Sequence, residues 1–377
     1  MITNWKYCAA VILLAGSAAA NGGFTQLPGF AEIRAGFGDA PPDADEQALL
    51  ARHRPRLHVA DGEEGPVDFY ADYIGSGELF DGENAPVQNP TAAQLNAARD
   101  NPEAVFIHRP QPAQYPPAAY GGINHAALVL SDGEAHEFTF LHYHFSFRHS
   151  GLPAGVSGAR LFLAELFADV RDWHQLDHYT AAYIVLHEGA PFAAILQQHN
   201  YMRTYLMHEE PAFANGRAVL NAALWSNELY PHRKARTMRR AAGFMNAKTT
   251  AYLTGASEDG GINAAPDITE GGREIKYELQ FLPPNDAFYV FAGRLGEPRR
   301  LPGRDGPPGA MYRMGPKLWA LEKSMPAFYW KDEDAEYAEI MREDGFSAAA
   351  QKKYLERFTR AFYRAKPHLN PAALAND

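Results

Sequence analysis

The sequence predicts a mostly β fold, a two-sheet antiparallel β-sandwich with helical insertions and a C-terminal helix, on three observations. Short apolar runs rich in aromatic and β-branched residues recur between Pro, Gly and Asn-Asp signals. Long amphipathic helices are few, and no Gly-rich phosphate loop marks a doubly wound α/β sheet. With 377 residues, 46% of them hydrophobic, the chain can bury a substantial core.

Taken in order, the chain opens with Lys6 ahead of the apolar run Ala9 to Ala20, the order of a secretory signal peptide, with small residues at Ala18 to Ala20 for cleavage. The run is shorter than the roughly 20 residues that a bilayer span needs, so no transmembrane segment is expected after cleavage. The only cysteine, Cys8, precedes it, so the exported chain would carry neither a disulfide nor a thiol nucleophile. The expected location is secreted or periplasmic. Loss of Lys6 would move the formal charge from −10 to −11. An acidic chain makes a poor nucleic-acid binder, because neutralising phosphates takes clustered Lys and Arg. The basic cluster from His232 to Arg240 reads as a solvated face.

Residues 21–45 form a Gly- and Pro-rich lead, 46–330 the sandwich and 331–377 a helical extension. Glu46 to His53 is a short helix limited by Pro55, and Arg56 to Val59 a short strand. Val67 to Tyr73 is extended or turning, and Ala92 to Arg99 a short helix. Val105 to His108 and Ala126 to Leu130 are strands, and Asp132-Gly133 turns the chain into the strand that begins at Phe138. Leu161 to Trp173 carries apolar residues at helical spacing. Tyr179 to His187 and Phe192 to Gln198 form a hairpin about Gly189-Ala-Pro191. Arg217 to Leu224 and Glu274 to Phe281 are strands, with Trp225 to Pro231 a loop. Tyr354, Phe358, Phe362 and Tyr363 stripe a final helix that Pro367 ends.

Four pieces resemble the vacuolar protein sorting-associated protein 62 family: Arg54-Pro-Arg-Leu-His58 to Tyr70, Leu141 to Phe147, Asp172-Trp173, and Arg217 to Pro231. Asp172-Trp173 is also similar to part of the motif of the necrosis-inducing cytolysins. The resemblance implies a two-sheet β-sandwich. In the cytolysins, acid and histidine ligands around that motif hold a divalent cation that engages a sphingolipid head group. Only Asp172 and Trp173 carry over by position, because His174 and Asn227 replace the family's acid and histidine.

Seven of the fifteen histidines fall between Phe138 and Asn200. His142 and His144, two apart on one strand, share a face as metal-binding pairs do; Tyr143, Phe145 and Phe147 should face the core and the histidines the opposite way. Asp172, His174, Asp177 and His178 supply oxygen and nitrogen donors within seven residues, suited to zinc or another divalent cation such as calcium or magnesium. Trp173, Tyr179, Trp225 and Tyr230 are candidates for stacking on a sugar, and His199 stands at a strand end. The hairpin should return His199 to Asp172 and Trp173.

No G-x-S-x-G or H-E-x-x-H is present. The expected function is binding of a glycan or lipid head group, with or without a metal. The alternative is a metal- or carboxylate-dependent hydrolase acting on an envelope polymer or ester, with Asp172 or Asp177 as base. A third class is a structural envelope protein whose tail helix docks a partner.

Overall fold

The computed structural model describes residues 39–59, 64–109, 112–148, 176–198, 201–232, 272–296, 328–329 and 348–371, except positions 83, 214–215, 223–226 and 228. In chain order its helices are α1 (Ala44–His53), α2 (Ala92–Ala97), α3 (Ala287–Val290) and α4 (Ala348–Ala365). Its strands are β1 (Arg56–Val59), β2 (Gly77–Phe80), β3 (Val87–Gln88), β4 (Val105–His108), β5 (Ala118–Val129), β6 (Ala135–Phe147) and β7 (Asp177–His187). They continue with β8 (Ala190–Gln198), β9 (Tyr201–Leu206), β10 (Val219–Ala222), β11 (Leu229–Pro231), β12 (Arg273–Ile275), β13 (Glu278–Phe281) and β14 (Phe328–Tyr329). The chain is mostly β, and among the described residues it has several sheets, none closed.

The largest sheet has the order β13-β5-β6-β7-β8-β9-β14, antiparallel through its centre. Two tight turns set its registers. Gly133 at φ +95° lets Leu130 N donate to Glu134 O at 2.7 Å between β5 and β6. Glu188 and Gly189, both at positive φ, join β7 to β8, one step earlier than the Gly-Ala-Pro turn expected.

On β6 the two-residue period sends Leu141, Tyr143, Phe145 and Phe147 to one face. That face packs on a second sheet, β11-β10-β1-β12, through Leu57, Val59, Leu220 and Ile275. Helix α1 closes its edge, with Leu50 O accepting from Tyr143 Oη at 2.8 Å. Asp43 and Glu46 form the capping box that starts α1 two residues before the expected Glu46.

The other face was expected to be the solvent side, and it is buried as well. Phe138, Phe140, His142 and His144 lie under a covering layer that includes Phe69, Tyr73, Phe288 and Tyr289. The cover is tied down by polar groups. Asp68 caps the turn Phe69–Tyr73 through Ala71 N at 2.8 Å while accepting from Tyr120 Oη at 3.1 Å and Gln280 Nε2 at 2.6 Å. Asp286 caps α3 and accepts from Tyr70 and Asn96. At the hairpin end, α4 buries Phe358, Ala361 and Phe362 against Phe138 and Phe192. The described part of its apolar stripe is thus covered by the chain's own core.

The topology departs from the expectation in other ways. Among the described residues there are three sheets rather than two, the third being β3-β2-β4, and three pairings are parallel: β1 with β10, β13 with β5, and β14 with β9. The stretch Glu274 to Phe281 is not one strand, because the chain leaves the second sheet after Ile275 and enters the largest sheet at Glu278. Tyr277, buried between them and donating to Pro55 O at 2.6 Å, anchors that switch. Leu229–Pro231, expected as loop, pairs with β10. The helix expected over Leu161 to Trp173 lies outside the described residues.

Candidate functional site

The expected H-x-H pair does come together, its two rings hydrogen-bonded to each other in the core. His142 Nδ1 and His144 Nε2 are 3.0 Å apart, and His142 Nε2 lies 3.1 Å from Asn124 Oδ1. The carboxamide oxygen can only accept, so His142 Nε2 carries the proton. Its Nδ1 therefore accepts from His144 Nε2–H, which leaves His144 Nδ1 as the basic nitrogen of the pair. Burial pushes His142 down to about 3, so it is neutral across the ordinary pH range. Tyr183 and Tyr289 edge both rings. Gly122, opposite His142 on β5, makes room for the imidazole: a Cβ there would stand 2.1 Å from His142 Cε1.

Asp177, His178 and Tyr179 begin β7, with Asp177 opposite Phe147. Asp172, Trp173, His174, His199 and Trp225 lie outside the described residues, and with them the expected meeting of Asp172, Trp173 and His199. Among the described residues, no group of three or more His, Cys, Asp or Glu is placed to hold a metal ion.

Tyr230 belongs to a different constellation, on the face of the second sheet turned away from the core. Register aligns Tyr230 with Asn221, Asn221 with His58, and His58 with Glu274, a polar row across all four strands. Leu57, Val59, Leu220 and Ile275 alternate with this row and fill the core. His232, just beyond β11, stacks on His58 with ring centroids 4.2 Å apart and planes inclined by 27°. Its Nδ1 donates to Asn221 Oδ1 at 2.7 Å. His58 Nδ1 is 3.4 Å from Gly272 O. Arg56 grips Glu274 with two nitrogens, one of them at 2.9 Å. This hydrogen bond, aided by the charges of Arg56, His58 and Arg217, holds the Glu274 carboxyl below its ordinary range. Burial, then the charges of His58 and Arg56, lower His232.

The row is graded. Tyr230 and Asn221 are buried, the two imidazoles half-buried, and the Arg56 and Glu274 side chains 45% and 39% exposed, so solvent enters from the β12 side. Two further histidines, His136 and His187, sit against Phe362 of α4 and serve packing.

Sequence reasoning missed His58, Asn221 and His232 as a unit, and it placed His232 on a solvated face. The one signal available was alternation: Arg56 and His58 flank Leu57, so they must face away from whatever buries it.

Compared with known proteins, the chain matches no family model, no curated protein and no solved structure. The class it defines is a mostly β protein of several open sheets, with one imidazole pair sealed in its core and a second pair open on an outer face.

Proposed function

We propose that the protein is an envelope binding module, a β-sandwich exported by its N-terminal signal, that takes a glycan or lipid head group on the outer face of the second sheet. One observation carries this reading: the row Tyr230–Asn221–His58–Glu274, with His232 stacked on it, runs along one face of the second sheet from a buried phenol and carboxamide through two half-buried imidazoles to an exposed ion pair. Such a row offers both donors and acceptors, as a ligand of hydroxyls or phosphate oxygens requires. The resemblance to the vacuolar protein sorting-associated protein 62 family belongs to the same proposal.

The test is binding of the purified protein to a glycan array and to liposomes of defined head group, repeated with His58→Ala and Asn221→Ala. Each variant should weaken the interaction at least tenfold with folding unchanged. Wild-type binding that both variants retain in full would place the site elsewhere.

A further inference from the structure

We propose that the outer face of the second sheet is a site for neutral, hydroxyl-rich glycans, whose hydroxyl groups donate to the open Nε2 atoms of His58 and His232. This rests on the assignment of that face as the binding face, and it chooses the glycan over a charged head group.

The first ground is the direction of the hydrogen bonds. His232 Nδ1 lies 2.7 Å from Asn221 Oδ1, and His58 Nδ1 is directed to Gly272 O at 3.4 Å. Each of those oxygens can only accept, so both Nδ1 atoms carry the proton and each neutral ring keeps its lone pair on Nε2. No hydrogen bond among the described residues uses either Nε2. Neither is one of the buried polar atoms left without a partner, so solvent reaches both.

The second is the stack. With ring centroids 4.2 Å apart and planes inclined by 27°, the two imidazoles offer separate acceptors rather than one common point. Two acceptors call for two donors on one ligand, and the hydroxyls of a sugar provide them. A phosphate or carboxylate brings only acceptors once it is ionised, and its oxygens would face the imidazole lone pairs.

The third is charge. Bidentate recognition of a phosphate uses the guanidinium fork, and Arg56 already gives that fork to Glu274. Arg217 is turned to the backbone, donating from Nε to Arg54 O at 2.7 Å. Burial, then the charges of His58 and Arg56, lower His232, so its ring stays a neutral acceptor near pH 7. An anion thus finds the guanidinium matched by a carboxylate, and an ammonium group meets the Arg56 charge. A neutral polyol suffers neither, and the exposed Glu274 oxygens accept from further hydroxyls.

The probes, applied to the purified full chain at pH 7.5, are an array of neutral oligosaccharides, the same array per-O-methylated, inorganic phosphate, and phosphatidylcholine vesicles carrying either phosphatidylglycerol or phosphatidylethanolamine. At least one neutral oligosaccharide should bind. Its methylated form, which keeps every oxygen as an acceptor but cannot donate, should bind at least tenfold more weakly. His58→Phe and His232→Phe keep a ring and remove its nitrogens, and each should weaken glycan binding at least tenfold, with circular dichroism and melting temperature checking the fold. Phosphate and both kinds of vesicle should not bind the wild-type chain, whereas Glu274→Gln, which leaves Arg56 unmatched, should let phosphate bind. Where a Phe variant loses its fold, the methylated comparison on the wild-type chain decides.

A methylated oligosaccharide that binds as well as the free one would overturn the proposal, and so would glycan binding that both folded Phe variants retain. Phosphate or vesicle binding that Asn221→Ala abolishes, with no glycan bound, would overturn it while keeping the outer face as the binding face. Binding of none of these probes would remove both this proposal and the binding-module reading.

Discussion

His142 and His144 lie two residues apart on β6 and are sealed beneath Phe288 and Tyr289, whereas His58 and His232 come from distant parts of the chain and stack where solvent still reaches them. The first pair uses its nitrogens on each other and on Asn124; the second uses only its inner nitrogens, on Asn221 and Gly272. The difference lies in what covers each sheet. A short spacing guarantees that two rings share a face, but accessibility is decided by the layer packed above that face. The pair with the more familiar motif is therefore the one enclosed in core, and the pair with no motif is the one that solvent reaches.

The sharpest test of this contrast is whether the histidine face of the largest sheet really is core. Phe140→Ala on that face and Phe145→Ala on the opposite face remove fully buried rings, and each should cost about 3–5 kcal/mol in denaturant unfolding. A Phe140 cost well under half that of Phe145 would mean that the cover is loose and that the two histidine pairs are alike.

Acid separates the pairs next. The pKa of His142 is lowered by burial to about 3 in the folded chain, against an ordinary value near 6.5 when unfolded, so between those values the unfolded chain binds more protons. Its contribution to stability is complete above about pH 6.5 and is lost as the pH falls towards 3, amounting to about 3 kcal/mol at pH 4. His108, lowered to about 4 by burial and then by Arg148, adds to the loss. His142→Gln should flatten most of the difference between unfolding curves at pH 7 and pH 4. A pH dependence unchanged in that variant would mean that the His142 ring is not sealed in the core.

The smallest effect concerns the seat of the buried ring. Gly122→Ala puts a methyl group into the space of the His142 imidazole and should cost about 1–3 kcal/mol. In a His142→Ala background the same substitution should cost much less, a coupling that a double-mutant cycle of melting curves measures. Additive costs would show that the ring does not lie over Gly122.

Much of the secondary structure was legible because it is encoded locally. Asp132-Gly133 sets the β5–β6 turn, Phe138 to Phe147 alternates with period two, Pro55 limits α1 and Pro367 follows α4. Local rules misled where neighbours in space took over. The run Glu274 to Phe281 looks continuous, yet anchoring of Tyr277 on Pro55 O divides it between two sheets. Leu229 to Pro231 looks like a loop because its β character comes from pairing with β10.

By itself, then, the sequence determined a mostly β chain, the element boundaries set by Gly, Pro and capping residues, and the two-residue alternation that puts His142 with His144 and separates Leu57 from His58. Covalent geometry fixes those features within a few residues. Only the tertiary structure decided that a second layer covers the histidine face of β6, that β1 lies parallel beside β10, and that His232 stacks on His58. Those outcomes depend on which distant surfaces exclude water from one another, and no short-range pattern carries that information.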